Sequence, residues 1–203
     1  MGKFKNCLQC RIITAGIVIA IGAIAALWLM KQYDSGCINK LPKDTVKIED
    51  SVVLAQKDTL YEFAIDFLKD YEGFRSKRYR DNDGSLTIGY GHHLRFGENY
   101  TNISEEKATE ILKKDFDKYI QEARDSHDKE LKYNQEIAIA LFMYNCGAGK
   151  YNRSTMKKNI ELCEDPSHVW LKYCHYKKDG VMVAHPKLKE RRQIEVKIFK
   201  NGK

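Results

Sequence analysis

The chain opens with a run of nineteen residues without a charge, Ile12 to Met30, a length that suits a membrane-spanning helix. Lys3, Lys5 and Arg11 precede the run, whereas Lys31 is the only basic residue immediately after it. That asymmetry predicts residues 1–11 in the cytoplasm and everything after the span on the other side of the membrane. From Lys31 to Lys57 the sequence is polar, mixed in charge and interrupted by one proline, the character of a tether. Beyond it, Leu60, Phe63, Ala64, Phe67, Leu68 and Tyr71 recur at three- and four-residue intervals, the stripe of a helix with one buried face. Thr59 and Glu62 have capping-box spacing, and Gly73 suits the position just past the helix end.

The pattern then changes. Asp81-Asn82-Asp83-Gly84 reads as a polar turn and Leu86-Thr87-Ile88 as a short β-like run. Ser104 is placed to cap a helix carrying Ala108, Ile111, Leu112, Tyr119, Ile120 and Ala123. Asn134-Gln135 opens an almost entirely apolar run through Ile137, Ile139, Leu141 and Phe142 to Tyr144, which predicts a helix buried on most sides. Asp165-Pro166 looks like an N-cap and first helical position, Lys178-Asp179-Gly180 a turn, and Leu188 to Phe199 a final amphipathic helix. Helices with one small sheet predict an α+β fold. The organisation expected is therefore 1–11 cytoplasmic, 12–30 transmembrane, 31–57 tether and 58–203 a single folded domain, without internal repeats.

Charge and cysteines refine this picture. Fourteen Lys or Arg face six Asp or Glu between Lys150 and Lys203, so the whole formal excess of +7 resides in that part. Such a region attracts polyanions, but no nucleic-acid motif accompanies it, and a nucleic-acid partner is not expected. Cys7 and Cys10 fall before the span; Cys37, Cys146, Cys163 and Cys174 fall after it. Disulfides among the last four and free buried thiols are both open readings. His92-His93 lacks accompanying Cys or spaced acidic ligands, so neither a metal site nor another cofactor is expected.

The chemistry concentrates between residues 72 and 92. Glu72 stands in the last turn of the predicted helix, where the negative end of the helix dipole disfavours a further anion. A carboxyl in that place suits a general acid that protonates a glycosidic oxygen. Asp81 follows after eight intervening residues in a turn open to water, and Thr87 after five more. Two carboxyls in unlike surroundings can divide the acid role from the base or stabiliser role.

The order and spacing of Glu72, Asp81 and Thr87 ahead of Thr87-Ile88-Gly89-Tyr90-Gly91-His92 resembles the phage-type lysozymes, glycoside hydrolase family 24. The resemblance runs to the C-terminus through Tyr144-Asn145-Cys146-Gly147-Ala148-Gly149, Ser154-Thr155-Met156, Trp170, and Leu188 with Arg191-Arg192 and Glu195. Pro186-Lys187 departs from the Pro-Gly of many relatives, so the turn into the last helix is expected to differ. The resemblance implies a mainly helical, two-lobed domain with a small antiparallel sheet. It further implies Glu72, Asp81 and Thr87 as catalytic residues, and His92, Arg191 and Arg192 as supporting or substrate-side residues, with one of the arginines pairing with Glu72. The implied reaction is hydrolysis of the β-1,4 bond between N-acetylmuramic acid and N-acetylglucosamine in peptidoglycan by a monomer. Lytic transglycosylation and an inactive wall-binding role are the alternatives. Retention of all three catalytic positions favours hydrolysis. The Gly- and Ala-rich span, with Gly16, Ala20, Gly22 and Ala26 at small-x-x-x-small spacing, is similar to signal-anchor-release segments. Two expectations follow from it: a periplasmic enzyme held in the bacterial inner membrane, or one later released from it.

Overall fold

The computed structural model describes residues 43–81, 84–178 and 181–201. The expected span at 12–30, Cys7, Cys10 and Cys37 lie outside the described residues. No helix among the described residues is long and apolar enough to cross a membrane. The chain divides into a unit ending at Val52 and one running from Val53 to Lys203, and the second holds the site residues described below.

Helix α1, Lys43–Glu72, starts well before Thr59. No Gly or Pro occurs between Pro42 and Gly73 to interrupt it, and the Thr59 hydroxyl donates to the Ala55 carbonyl at 2.8 Å instead of capping. The end of the helix agrees with the sequence: Gly73 has φ +70° and its N–H donates to the Lys69 carbonyl at 3.0 Å, the left-handed C-terminal cap that glycine adopts without strain. The buried stripe is Ala64, Ile65, Phe67 and Leu68, while Phe63 remains half exposed.

Three short strands follow: β1 (Arg75–Arg80), β2 (Leu86–Gly89) and β3 (His92–His93), antiparallel in that order. Tyr79 pairs with Thr87 and Thr87 with His93. Gly89 is required where β2 meets the next helix, because a Cβ there would lie 3.2 Å from the Ala108 Cβ at a φ of +67°. That helix, α2 (Glu105–Asp125), is capped by Ser104, whose hydroxyl accepts from the Lys107 N–H, as the sequence predicts.

Helix α3, Tyr133–Cys146, is the apolar centre; Ile137 through Met143 are wholly buried, and it packs against α2 and the C-terminal helix. Short helices α4 (Ala148–Asn152), α5 (Thr155–Glu161) and α6 (Ser167–Trp170) close one side. Pro166 is the N-cap of α6, one position later than expected, and Asp165 Oδ1 accepts the Ser167 N–H at 3.0 Å. A second sheet of β4 (His175–Lys178) and β5 (Val181–Ala184) corrects the expectation of one small sheet. Its signal was the Asp179-Gly180 turn beside Val181 and Val183. Helix α7, Pro186–Asn201, starts with proline at its first position, two residues before the expected start. Cys146, Cys163 and Cys174 are free thiols.

Candidate active site

Glu72 is the last residue of α1, and its carboxyl is gripped from α7. Arg191 Nη1 donates to Glu72 Oε1 at 2.7 Å, with side-chain exposures of 2% and 23%. Arg191 in turn donates through Nε to Glu195 Oε1 at 3.1 Å and through Nη2 to the Leu141 carbonyl at 3.1 Å. Its guanidinium also lies over the rings of Phe67 and Tyr71, at 5.6 and 5.4 Å, contacts that attract a cation to an aromatic face. A charge buried this deeply is tolerable only when paired and fully hydrogen-bonded. The second oxygen of Glu72 faces the backbone of Gly91, 4.0 Å from where a Cβ would stand.

Of the two arginines expected as supporting or substrate-side residues, Arg191 pairs with Glu72 and Arg192 turns into the core. It is fully buried and donates to Glu195 Oε2 at 2.5 Å, to Asn145 Oδ1 and to the Tyr173 carbonyl. Trp170 Nε1 completes the coordination of Glu195 at 2.8 Å. Adjacent arginines on a helix point about 100° apart, so only Arg191 can turn toward α1 while Arg192 turns into the core. Two guanidinium groups thus meet the carboxyl groups of Glu195 and Glu72, Arg191 reaching both and Arg192 reaching Glu195.

Asp81 is exposed at the entry to the turn after β1. Its N–H donates to the Ser85 carbonyl and its carbonyl accepts from Gly84, each at 2.9 Å, so the backbone of the turn is closed around it. Thr87 is wholly buried in β2, its Oγ1 3.3 Å from His93 Nδ1, a nitrogen that also lies 2.7 Å from Ser85 Oγ. His93 is therefore the histidine that addresses Thr87. Sequence reasoning singled out His92 instead; the register pairing of Thr87 with His93 was the missing signal.

His92 lies buried between Asp115, 2.5 Å from Nδ1, and Glu98, 2.9 Å from Nε2. Both ring nitrogens are engaged by carboxylates, which makes His92 a supporting residue. Asp115 holds the ring, raising the His92 pKa against the opposing effect of burial, and Glu98 adds to the rise. Burial pushes the Asp115 carboxyl up, but the His92 and Arg95 contacts outweigh it and leave it lowered.

Two tyrosines join the site that the sequence did not mark as functional. Tyr144 donates to the Tyr90 carbonyl at 2.8 Å, and burial, followed by the charges of Glu72 and Asp115, pushes its pKa up. Tyr79, the register partner of Thr87, is half-buried with the Arg75 guanidinium 4.2 Å above its ring. Burial raises its pKa as well; Arg75 works against this, and the charges of both Asp81 and Glu72 add to it. Among the described residues no group of three or more His, Cys, Asp or Glu is placed to hold a metal ion.

Known proteins resemble this chain in sequence and in fold. The chain is 30% identical over 139 residues to an endolysin from Acyrthosiphon pisum secondary endosymbiont phage 1, covering 66% of this chain and 93% of that protein. It is 32% identical over 92 residues to a protein of bacteriophage PS119 named SAR-endolysin, covering 44% of this chain and 53% of the relative. The crystal structure of a P22 lysozyme variant superimposes with a TM-score of 0.56 at 28% identity, covering 68% of this chain and 95% of that one. The family model described as phage lysozyme matches residues 69–195, a span that contains Glu72, Asp81, Thr87 and Arg191, and the chain belongs to the phage lysozyme family as a lysozyme-type hydrolase.

Proposed function

We propose that the protein is an N-acetylmuramidase that hydrolyses the β-1,4 bond between N-acetylmuramic acid and N-acetylglucosamine in peptidoglycan, the chemistry of glycoside hydrolase family 24. The observation that carries this reading is the grip of Arg191 on one oxygen of Glu72 at 2.7 Å, which leaves the other oxygen beside Gly91. A carboxyl fixed through one oxygen presents the second in a defined direction, as a general acid must toward a leaving glycosidic oxygen. Asp81 and Thr87 then position and activate the water, Asp81 from a turn open to solvent and Thr87 through its hydroxyl beside His93. The water attacks the anomeric carbon while the proton of Glu72 goes to the departing sugar.

The same reading places the enzyme at the bacterial inner membrane, held by residues 12–30 with residues 58–203 in the periplasm. Support comes from the uncharged run with its basic N-terminal flank and from the PS119 relative named SAR-endolysin. The Gly and Ala content of the run favours a later release.

The reaction is tested by mass spectrometry of peptidoglycan digested with the purified protein. Hydrolysis yields fragments with reducing muramic acid ends. Anhydro ends would instead assign lytic transglycosylation, and no cleavage would leave a wall-binding protein.

A further inference from the structure

Thr87 is proposed to position the attacking water, yet it is 0% exposed. An atom with no accessible surface cannot touch a water that arrives from solvent, so whatever Thr87 does to that water it does through a neighbour. Strand register names the neighbour. Tyr79, Thr87 and His93 are directly paired across β1, β2 and β3, which sets their side chains in one row on one face of the sheet. His93 ends that row and is exposed. Its Nδ1 lies 3.3 Å from Thr87 Oγ1 and 2.7 Å from Ser85 Oγ, while Nε2, on the opposite edge of the ring, has no hydrogen-bond partner among the described residues. Alternation along each strand carries the same face from Thr87 to Ser85 and from Tyr79 to Asp81, and the Asp81 N–H bonds the Ser85 carbonyl at 2.9 Å. His93 and Asp81 therefore flank the two hydroxyls from either side.

We propose that His93 is a further catalytic residue: its Nε2 accepts a hydrogen bond from the attacking water, and Thr87 and Ser85 act by holding the ring. The inference rests on the muramidase reading of Glu72 and Asp81. Hydroxyl oxygens accept as well as donate, so the two hydroxyls select the tautomer whose Nδ1–H points at them, and the Nε2 lone pair is left outward. During cleavage the water oxygen bonds to the anomeric carbon as the glycosidic C–O bond breaks. The Glu72 proton goes to the leaving oxygen, and one proton of the water goes to Asp81. His93 gains and loses no proton; by holding the second hydrogen of the water it aims the oxygen lone pair at the anomeric carbon, an orienting contribution. The neighbouring charge cluster does not compete for the ring, because Asp115 is spent on His92 and Arg95 and Glu98 on His92.

The test is to measure kcat and KM for release of reducing muramic acid ends from soluble peptidoglycan fragments, using the full-length wild type and His93→Leu, His93→Asn and His93→Gln. Asn places its amide where Nδ1 stands and Gln where Nε2 stands, whereas Leu keeps bulk without a polar atom. His93→Leu and His93→Asn should lower kcat on the order of 10²-fold with little change in KM. His93→Gln, whose carbonyl oxygen can accept from the water, should recover about tenfold of that loss. The side chain is exposed at the end of a short strand, so all three variants should melt close to wild type. Unchanged or raised kcat in His93→Leu overturns the proposal, because the ring would then only cover Thr87. A His93→Asn enzyme as active as wild type overturns it too, since holding the two hydroxyls would then suffice. So does an equal loss in the Asn and Gln variants, which would make the ring a structural prop. Anhydro ends or no cleavage from wild type would remove the muramidase reading itself, an outcome distinct from normal hydrolysis with variants that behave alike.

Discussion

Glu72 is held through the core and Thr87 through its neighbours. Behind Glu72, Arg191 crosses from α7 to α1, and Glu195, Arg192, Trp170 and the Leu141 carbonyl fix Arg191 in turn. On the sheet side, Thr87 is placed by strand pairing with Tyr79 on one edge and with His93 on the other, the latter bringing the imidazole to its hydroxyl, and Asp81 by a turn closed by two backbone hydrogen bonds. The difference matches what each group is asked to do. An acid that delivers a proton along one direction gains from an over-determined mount; the groups proposed to handle water, exposed Asp81 and buried Thr87, are held instead by a turn and short strands. The helical region should therefore respond to mutation mainly through stability, and the sheet region mainly through turnover.

The largest break in that comparison should come from Glu195→Ala. Removing the carboxylate leaves buried Arg191 with Glu72 as its one carboxylate partner and buried Arg192 with only the neutral Asn145 Oδ1 and Tyr173 carbonyl among the bonds described here, at a cost of about 3–5 kcal/mol, a large fraction of the stability of an ordinary domain. Thermal denaturation or chemical unfolding should show a strongly destabilised protein. A melting temperature within a degree or two of wild type would mean that the network does not hold the site.

On the sheet side, Asp81→Ala and Thr87→Ala should each lower kcat on the order of 10²-fold with a smaller change in KM. Their melting curves should stay close to wild type, for Asp81→Ala above all. An effect on KM alone would make Asp81 a binding residue and leave the water without its partner.

A smaller and pH-dependent effect is expected at His92. Its folded pKa is raised, so its contribution is complete below the unfolded value of 6.5 and is lost as pH rises through the folded one. Asp115 and Glu98 are lowered, so theirs is complete above their unfolded values of 3.8 and 4.5 and is lost as pH falls through the folded ones. The cluster is strongest between those limits. His92→Asn should cost about 2 kcal/mol near pH 5.5, and the gap in melting temperature from wild type should narrow toward pH 8.5. A gap that stays constant across this range would contradict the charge-based account.

Much of this was legible in the sequence because it rests on local pattern. The end of α1 at Glu72 with Gly73, the Ser104 cap and the buried α3 are set by periodicity, caps and composition within a few residues. The pairing of an arginine with Glu72 was implied by resemblance, but choosing Arg191 over Arg192 required the rotation of α7 against the core. His93 and Tyr79 escaped notice because strand register, a non-local quantity, places them beside Thr87. The early start of α1 and the β4–β5 ribbon were missed for a different reason. Neither offers a buried periodic face in its described part: β5 is exposed throughout, residues 53–59 of α1 are exposed, and α1 before Thr59 carries no Gly or Pro to stop it.

The claim that Glu72 delivers the proton is tested most directly by comparing Glu72→Gln with wild type in a turbidity assay on chloroform-treated Gram-negative cells. Thermal unfolding is measured on the same preparations. The glutamine carbonyl can still accept the Arg191 bond, so the variant should fold, yet it has no acidic proton to give. The expected result is a native-like melting curve with lysis reduced on the order of 10²- to 10⁴-fold. A folded Glu72→Gln protein that clears cells at near wild-type rate would contradict the assignment.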